Sequence, residues 1–495
     1  MSLRGRLTAI ICVICFVAIE IYIGYTHTTS LPGKQDTGAK AGETLRIWYT
    51  DEALGKYIDS AAWEYYENTG IRVETSYVSG REYLETINDK SLGEEGIPDL
   101  YIISNASLEK AYLSGLASVI TNPGGFVSSE NFEDVSLNAV TYNGKYIGYP
   151  FYFETSYLLY NRTYIKEIAK QIVYQEWGMT EPSEEDTDGE GEEGEETANS
   201  GSTIEPPITE EELAHQVEIK TEAIMPHTIN DILNYANDYD APANVETIFK
   251  WNVSDIFFNY FILGAYSNLG GESGDDTSSF DIYNESTIRC FKMYQKINQF
   301  FSIDATTVDY KNIIQEFIDG KIIFTVASAG AVARLEEAEA VGDFMYEYGL
   351  LRIPDISEKL KTRNLSVTNC IAINGYSPNK NAANLLAQYL CEKKVNDLYP
   401  RTGRMPAIKG VSYANPVMQT ILAEYRDSIA IPKMLETSNF WIELELCFTK
   451  AWEGEDVNNL LKALSEKMKM QLWGSEYTEE YIPTPVEEEQ EVYDE

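Results

Sequence analysis

Histidine is nearly missing from this chain: His27, His215 and His227 are the only three. A serine–histidine–aspartate relay or a histidine-rich metal centre needs more than this scatter supplies. No Cys-x-x-Cys pair occurs outside the N-terminal apolar run, which argues against zinc ribbons and thioredoxin-like redox sites. Cys12 and Cys15 lie in that run. Cys290, Cys370, Cys391 and Cys447 are widely spaced, and both disulfides and buried thiols are open to them. There is no Gly-x-x-x-x-Gly-Lys-Ser/Thr loop to cradle phosphate. Carboxylates abound, yet no pair stands out at a spacing that marks glycoside hydrolysis. No catalytic residue, metal or cofactor is therefore expected, and the chain is not read as an enzyme.

Positive charge is also scarce. Lys and Arg number 38 against 79 Asp and Glu, a net charge of −41. That balance opposes binding to polyanions, nucleic acid above all. Basic residues vanish between Lys170 and Lys220 and again after Lys469. Fifteen acidic residues at 176–212 and nine at 476–495 supply 24 of the 41 excess charges. Both tracts carry too little apolar surface to offset the entropy of ordering, and both are expected to be disordered. Weak calcium binding there is a lesser reading than a solvated spacer.

What is present begins with a membrane signal. Arg4 and Arg6 precede an almost wholly apolar run at 7–25. As a helix it would be roughly 28 Å long at ~1.5 Å per residue, enough to cross a bilayer. Basic residues stay on the cytoplasmic side, so the remainder lies outside. A cleaved signal peptide needs small residues before the cut, and Gly24 and Thr26 make a poor site. A lipoprotein needs a small residue before its Cys, but Ile11 and Ile14 stand there. An uncleaved anchor is the preferred reading, and all three fates give one topology.

From Leu45 the pattern becomes regular. Leu45-Arg-Ile-Trp-Tyr49 reads as a strand, and 56–68 as a helix with Ile58, Ala61, Ala62 and Tyr65 at helical spacing. A strand at 71–77, a helix at 81–90, a strand at 98–104 and a helix at 108–113 follow. This alternation implies a largely parallel sheet covered on both faces, whose ligands bind beyond the carboxyl ends of the strands. The aromatic stretch 144–161 reads as an extended run, broken by Pro150, that crosses between two lobes. No internal repeat is visible.

Seven segments, in order, carry a resemblance. They are Thr69-Gly-Ile-Arg-Val73, Gly96-Ile-Pro-Asp-Leu-Tyr101, Leu113-Ser-Gly-Leu-Ala117 and Tyr142-Asn-Gly-Lys-Tyr-Ile-Gly-Tyr-Pro150 with Tyr160-Asn161. Phe317-Ile-Asp-Gly-Lys-Ile-Ile-Phe-Thr325, Tyr376-Ser-Pro-Asn-Lys380 and Gly403-Arg-Met-Pro-Ala407 complete the set. Each is weak alone; together, behind an export signal, they make most of 45–472 resemble the family 1 extracellular solute-binding proteins of ABC importers, the maltose-binding-protein-like group. The resemblance implies an α/β, two-lobe periplasmic-binding-protein-like (type II) fold with a hinge and an interlobe cleft, preceded by one N-terminal membrane helix. The implied layout is a membrane segment at 1–25, a tether at 26–43, lobe one at 44–152 and lobe two at 153–365 with the acidic insert at about 176–212. Lobe one returns at 366–412, lobe-two helices occupy 413–473, and an acidic disordered tail spans 474–495.

The resemblance also implies a function: capture of a small solute, a carbohydrate first, for delivery to ABC permease subunits, by a monomer anchored on the extracytoplasmic side of a bacterial membrane. A cationic or other non-sugar solute such as a polyamine, metal or peptide, or a structural or sensory surface role, is the alternative. Ligand-binding candidates are Glu154, after the crossing strand; Tyr49 and Asp51, at the end of the first strand; and Trp441, in a late helix. Trp251 and Asp255, in the second lobe, and Arg404, in a late loop that also suits a salt bridge, complete the set. Asn105-Ala-Ser107 and Ala327-Ser-Ala-Gly330 depart from the maltose binder, so its pocket is not inherited unchanged.

Overall fold

The computed structural model describes residues 44–80, 82–93, 96–178, 209–239, 241–301, 303–434 and 439–484. The expected membrane segment and tether, and 179–208 of the acidic insert, lie outside them. Among the described residues no helix is long and apolar enough to cross a membrane.

The first alternation builds lobe one: β1 (Thr44–Tyr49), α1 (Gly55–Thr69), β2 (Arg72–Tyr77), α2 (Tyr83–Ser91), β3 (Leu100–Ser104), α3 (Leu108–Leu113) and α4 (Asp134–Val140). α1 forms because Tyr57, Ile58, Ala61, Ala62 and Tyr65 recur on one face and bury together. It stops at Gly70, whose φ of 77° closes the last turn at no Cβ cost. β1 lies parallel to β2 on one side and β3 on the other.

The chain then crosses on β4 (Tyr149–Asn161) into lobe two, which holds α5 (Arg162–Glu176), α6 (Glu210–Ala223), β5 (Thr247–Phe249), α7 (Ile256–Asn259), α8 (Glu285–Phe301), α9 (Tyr310–Ile318), β6 (Ile322–Ser328), α10 (Gly330–Val341) and β7 (Tyr348–Leu351). It returns through β8 (Leu365–Ile373), α11 (Lys380–Glu392) and β9 (Met405–Pro406), then continues through α12 (Met418–Asp427), β10 (Ile429–Ala430), α13 (Phe440–Trp452) and α14 (Val457–Trp473). Seven strands line up as β2-β1-β3-β8-β4-β6-β5, with β7 and β9 also on β4 and β10 on β8.

β4 joins the lobes. Its residues up to Thr155 pair antiparallel with β8, and from Ser156 onward it pairs with β6. Pro150 does not break this strand, as its missing N–H had suggested; it sits opposite Cys370, where the register slips, and a bulge needs no donor there. The chain breaks earlier, at Ile147-Gly148.

Three boundaries differ from the sequence reading. Glu176 ends α5, and 210–212 begin α6 behind the Thr209 N-cap, so both rims of the acidic insert are helical. Ion pairs Lys220–Glu176, Arg162–Glu222 and Arg162–Glu218 tie the two helices together. α12 belongs to the crossing rather than to lobe two: Tyr425 stacks on Phe153 at 3.6 Å, and its hydroxyl meets Ser136 and Thr368 at 2.8 Å. Residues 474–484, expected as disordered tail, are strapped onto α14. Lys469 pairs with Glu479 at 2.5 Å, and Asn458 donates to the Ile482 carbonyl at 2.7 Å. Composition missed this because two or three polar anchors, not apolar area, hold the strap. Cys290, Cys370, Cys391 and Cys447 are free, buried thiols.

Candidate functional site

Along β4 every residue is buried except Glu154, which stands two positions before Ser156, where the strand changes partners. A strand between two packed layers buries both faces, so an opening at one carboxylate marks a gap between the lobes. Three of the sequence-derived candidates meet in it. Arg404, in the turn before β9, donates from Nε to Asp51 Oδ2 at 2.7 Å and from Nη1 to Glu154 Oε1 at 2.8 Å. Tyr152, two residues before Glu154 and so on the same strand face, donates to Asp51 Oδ2 at 3.3 Å.

Local sequence places each partner. Asp51 caps the single turn 52–54 by accepting from the Ala53 amide with Oδ1, which holds its second oxygen for Arg404. Gly403, at φ 68°, reverses the chain after the helical turn at 398–402 and presents Arg404. Opposite lies Gly330, where an added Cβ would stand 3.8 Å from Arg404 Nη1. A cavity of about 500 Å³ opens here, between α10 (Gly330, Ala333, Glu337) and the 399–404 segment.

Burial raises the Glu154 carboxyl above its ordinary range; Arg404 opposes that rise and Asp51 adds to it. For Arg404, burial works against the charge, but hydrogen bonding to Asp51 and the charge of Glu154 outweigh it and hold the guanidinium protonated. One fork serves two carboxylates, leaving one net negative charge in a partly desolvated corner. Among the described residues, Glu154 Oε2 and Arg404 Nη2 have no partner. An acceptor and a donor side by side suit adjacent hydroxyls.

Asp255 and Trp441 lie in lobe two, Trp441 against its hydrophobic core. Asp255 caps α7, accepting from the Phe257 amide at 2.9 Å, and burial raises its carboxyl. Trp441 is half-buried, its ring 6.0 Å from Tyr260. Glu445, one turn further along α13, is raised by burial and by the charge of Asp255. Phe258 stacks on Tyr310 at 4.5 Å. Burial pushes the Tyr310 phenol up to about 12, and its hydroxyl accepts from the Ser328 amide at 2.9 Å, opposite Ser156 of the crossing strand.

Two candidates lie elsewhere. Trp251 is fully buried, stacked on Phe249 at 4.7 Å, with its indole N–H on Asn259 at 2.9 Å. It is lobe-two core. Tyr49 is buried in the lobe-one core, its ring centroid 6.0 Å from that of Tyr77 and its hydroxyl against Gly55. Asn105 also has a structural duty: it accepts from the Thr368 amide and donates to the Ile431 carbonyl at 2.7 Å. Tyr152 and Glu445 were not singled out from the sequence, although strand period two from Glu154 and helix period four from Trp441 point to them.

A family model described as bacterial extracellular solute-binding protein matches residues 60–422. No curated protein sequence matches. Among solved structures, a cyclo/maltodextrin-binding protein complexed with maltotetraose is 17% identical, with a TM-score of 0.66 over 89% of this chain and 100% of that one. The extracellular solute-binding protein from Staphylococcus aureus in complex with maltose gives 16% and 0.66, over 88% and 99%. The maltose-binding periplasmic protein from Listeria monocytogenes in complex with maltose gives 16% and 0.65, over 89% and 100%. At these identities the likeness is one of fold, a two-domain periplasmic-binding-protein-like α/β fold. With its crossing strand, its opening at Glu154 and a family match over most of its length, this chain belongs to the bacterial extracellular solute-binding protein family.

Proposed function

We propose that this protein captures a small carbohydrate outside the cytoplasmic membrane and delivers it to the permease of an ABC importer, acting as a monomeric binder rather than an enzyme. The observation that carries this reading is the Asp51–Arg404–Glu154 cluster at the one opening of the crossing strand. Its free acceptor and donor pair with adjacent sugar hydroxyls, which must find partners once desolvated. Trp441, half-buried beside Tyr260, offers an apolar face to the CH side of a pyranose. The neighbours of known structure, with maltose and maltotetraose bound, support the same solute class. Two lobes joined by few strands close on a ligand by rotation about those strands, with β4 and β8 as the hinge. Residues 1–25 then act as the membrane anchor and 26–43 as the tether.

A thermal-shift panel on the full-length chain tests this, run in a non-glycosidic detergent against mono- and oligosaccharides, polyamines, amino acids, peptides and metal ions. A ligand at ~100 times its dissociation constant adds about 2.7 kcal/mol. Stabilisation by an oligosaccharide, reduced in Glu154→Ala, is expected; stabilisation only by polyamine or metal overturns the sugar assignment.

A further inference from the structure

The outer edge of lobe one holds a second set of unused aromatic groups. α1 buries one face, and Trp63 and Tyr66, three positions apart, project from the other with 68% and 46% of their surface exposed. Their ring centroids are 6.5 Å apart and their planes inclined by 48°. Together with Asp59, Ala62, Arg72, Val73 and Thr75 they line a groove of about 430 Å³, within the range of small-molecule sites (about 300–1,000 Å³).

The groove is distinct from the cleft. Its lining runs from Arg72, in register with Thr44, to Thr75, opposite Ile47, and shares no residue with the cavity beside Arg404. Nothing in the fold explains its contents. β2 ends the sheet. Among the described residues the Arg72 side chain has no ion pair or hydrogen bond, and the Asp59 carboxylate accepts only from Thr75, at 2.6 Å. Two open rings beside a free guanidinium and a half-used carboxylate repeat the chemistry of a sugar site. A net charge of −41 disfavours a polyanion as occupant. The inclination of the rings decides the shape. A β-1,4-linked glycan runs flat and would lie on coplanar rings, while an α-linked chain turns between residues and meets inclined ones.

We propose that this groove is a surface site for a neutral, curved α-linked glycan, separate from the cleft. It stands on its own observations and does not require the cleft to bind sugar. The test is affinity electrophoresis of the full-length chain, in a non-glycosidic detergent, through native gels containing soluble starch or hydroxyethylcellulose. Starch should retard the protein. Trp63→Ala and Tyr66→Ala should each weaken the apparent affinity by about tenfold, without changing mobility in plain gels. Glu154→Ala, which disables the cleft, should be retarded like the parent. The proposal falls if starch retards none of them, or if Glu154→Ala abolishes retardation while Trp63→Ala keeps it. Equal retardation by the flat β-1,4-glucan also overturns it. So does a halved particle mass in Trp63→Ala, which would give the face to a second copy of the chain.

Discussion

Replacing Arg404 with Gln removes the one cation between two carboxylates. Breaking a fully buried ion pair costs about 3–5 kcal/mol, most of it from the charge left behind. Here Arg404, Asp51 and Glu154 retain 28%, 18% and 19% of their side-chain exposure, so water screens part of that penalty. Roughly 2–3 kcal/mol is expected, which for a chain of this size lowers the melting temperature by about 2–3 °C. Glu154 is already pushed up by burial, and losing Arg404 pushes it further; the variant should therefore be destabilised least at low pH, where Glu154 takes up a proton. Adding Glu154→Gln removes the residual repulsion with Asp51. The double variant should regain most of the lost stability but no sugar affinity. Melting curves at pH 5 and 8 for the parent, the single variant and the double variant read all of this. If Glu154→Gln deepens the Arg404→Gln defect instead, the two carboxylates are not held together by that guanidinium.

Other consequences follow from single residues. Trp251→Ala should cost about 3–5 kcal/mol, since it empties a core position and strands Asn259, whereas Trp441→Ala should weaken sugar binding with less effect on stability; denaturant titration beside calorimetry separates them. Burial raises the Glu424 carboxyl to about 7, although Ile353 and Asn364 donate to it. Because the folded state keeps a proton that the unfolded state releases, Glu424 lowers stability as pH rises from about 4.5 to 7, by roughly 3 kcal/mol in all; Glu424→Gln should flatten that slope. Glu479→Ala leaves Lys469 without its buried partner and should cost roughly 2 kcal/mol, and it should speed proteolysis at 475–484.

Periodicity carried lobe one: the strands and helices between 44 and 113 fall where apolar spacing puts them, because local pattern and packing agree there. The site was legible only as separate positions. Asp51, Glu154 and Arg404 are 103 and 250 residues apart, and no local pattern states that one guanidinium joins them. Tyr49 and Trp251 show the converse. An aromatic at a plausible position turns to the core or to the cleft according to strand parity and neighbours, and those neighbours are fixed by tertiary contacts. The 474–484 strap escaped notice because its order comes from Lys469, Asn458 and Tyr283 on distant elements.

The central claim is that a sugar binds where β4 opens at Glu154. Titration calorimetry of the full-length protein with linear maltose-series oligosaccharides, alongside Glu154→Ala and Trp441→Ala, tests it most directly. Saturable heat that Trp63→Ala keeps, and that is lost when Glu154→Ala or Trp441→Ala is added to Trp63→Ala, is the predicted result. Binding that survives Glu154→Ala unchanged in the Trp63→Ala background, or no heat with any oligosaccharide alongside clear heat with a polyamine, would contradict it.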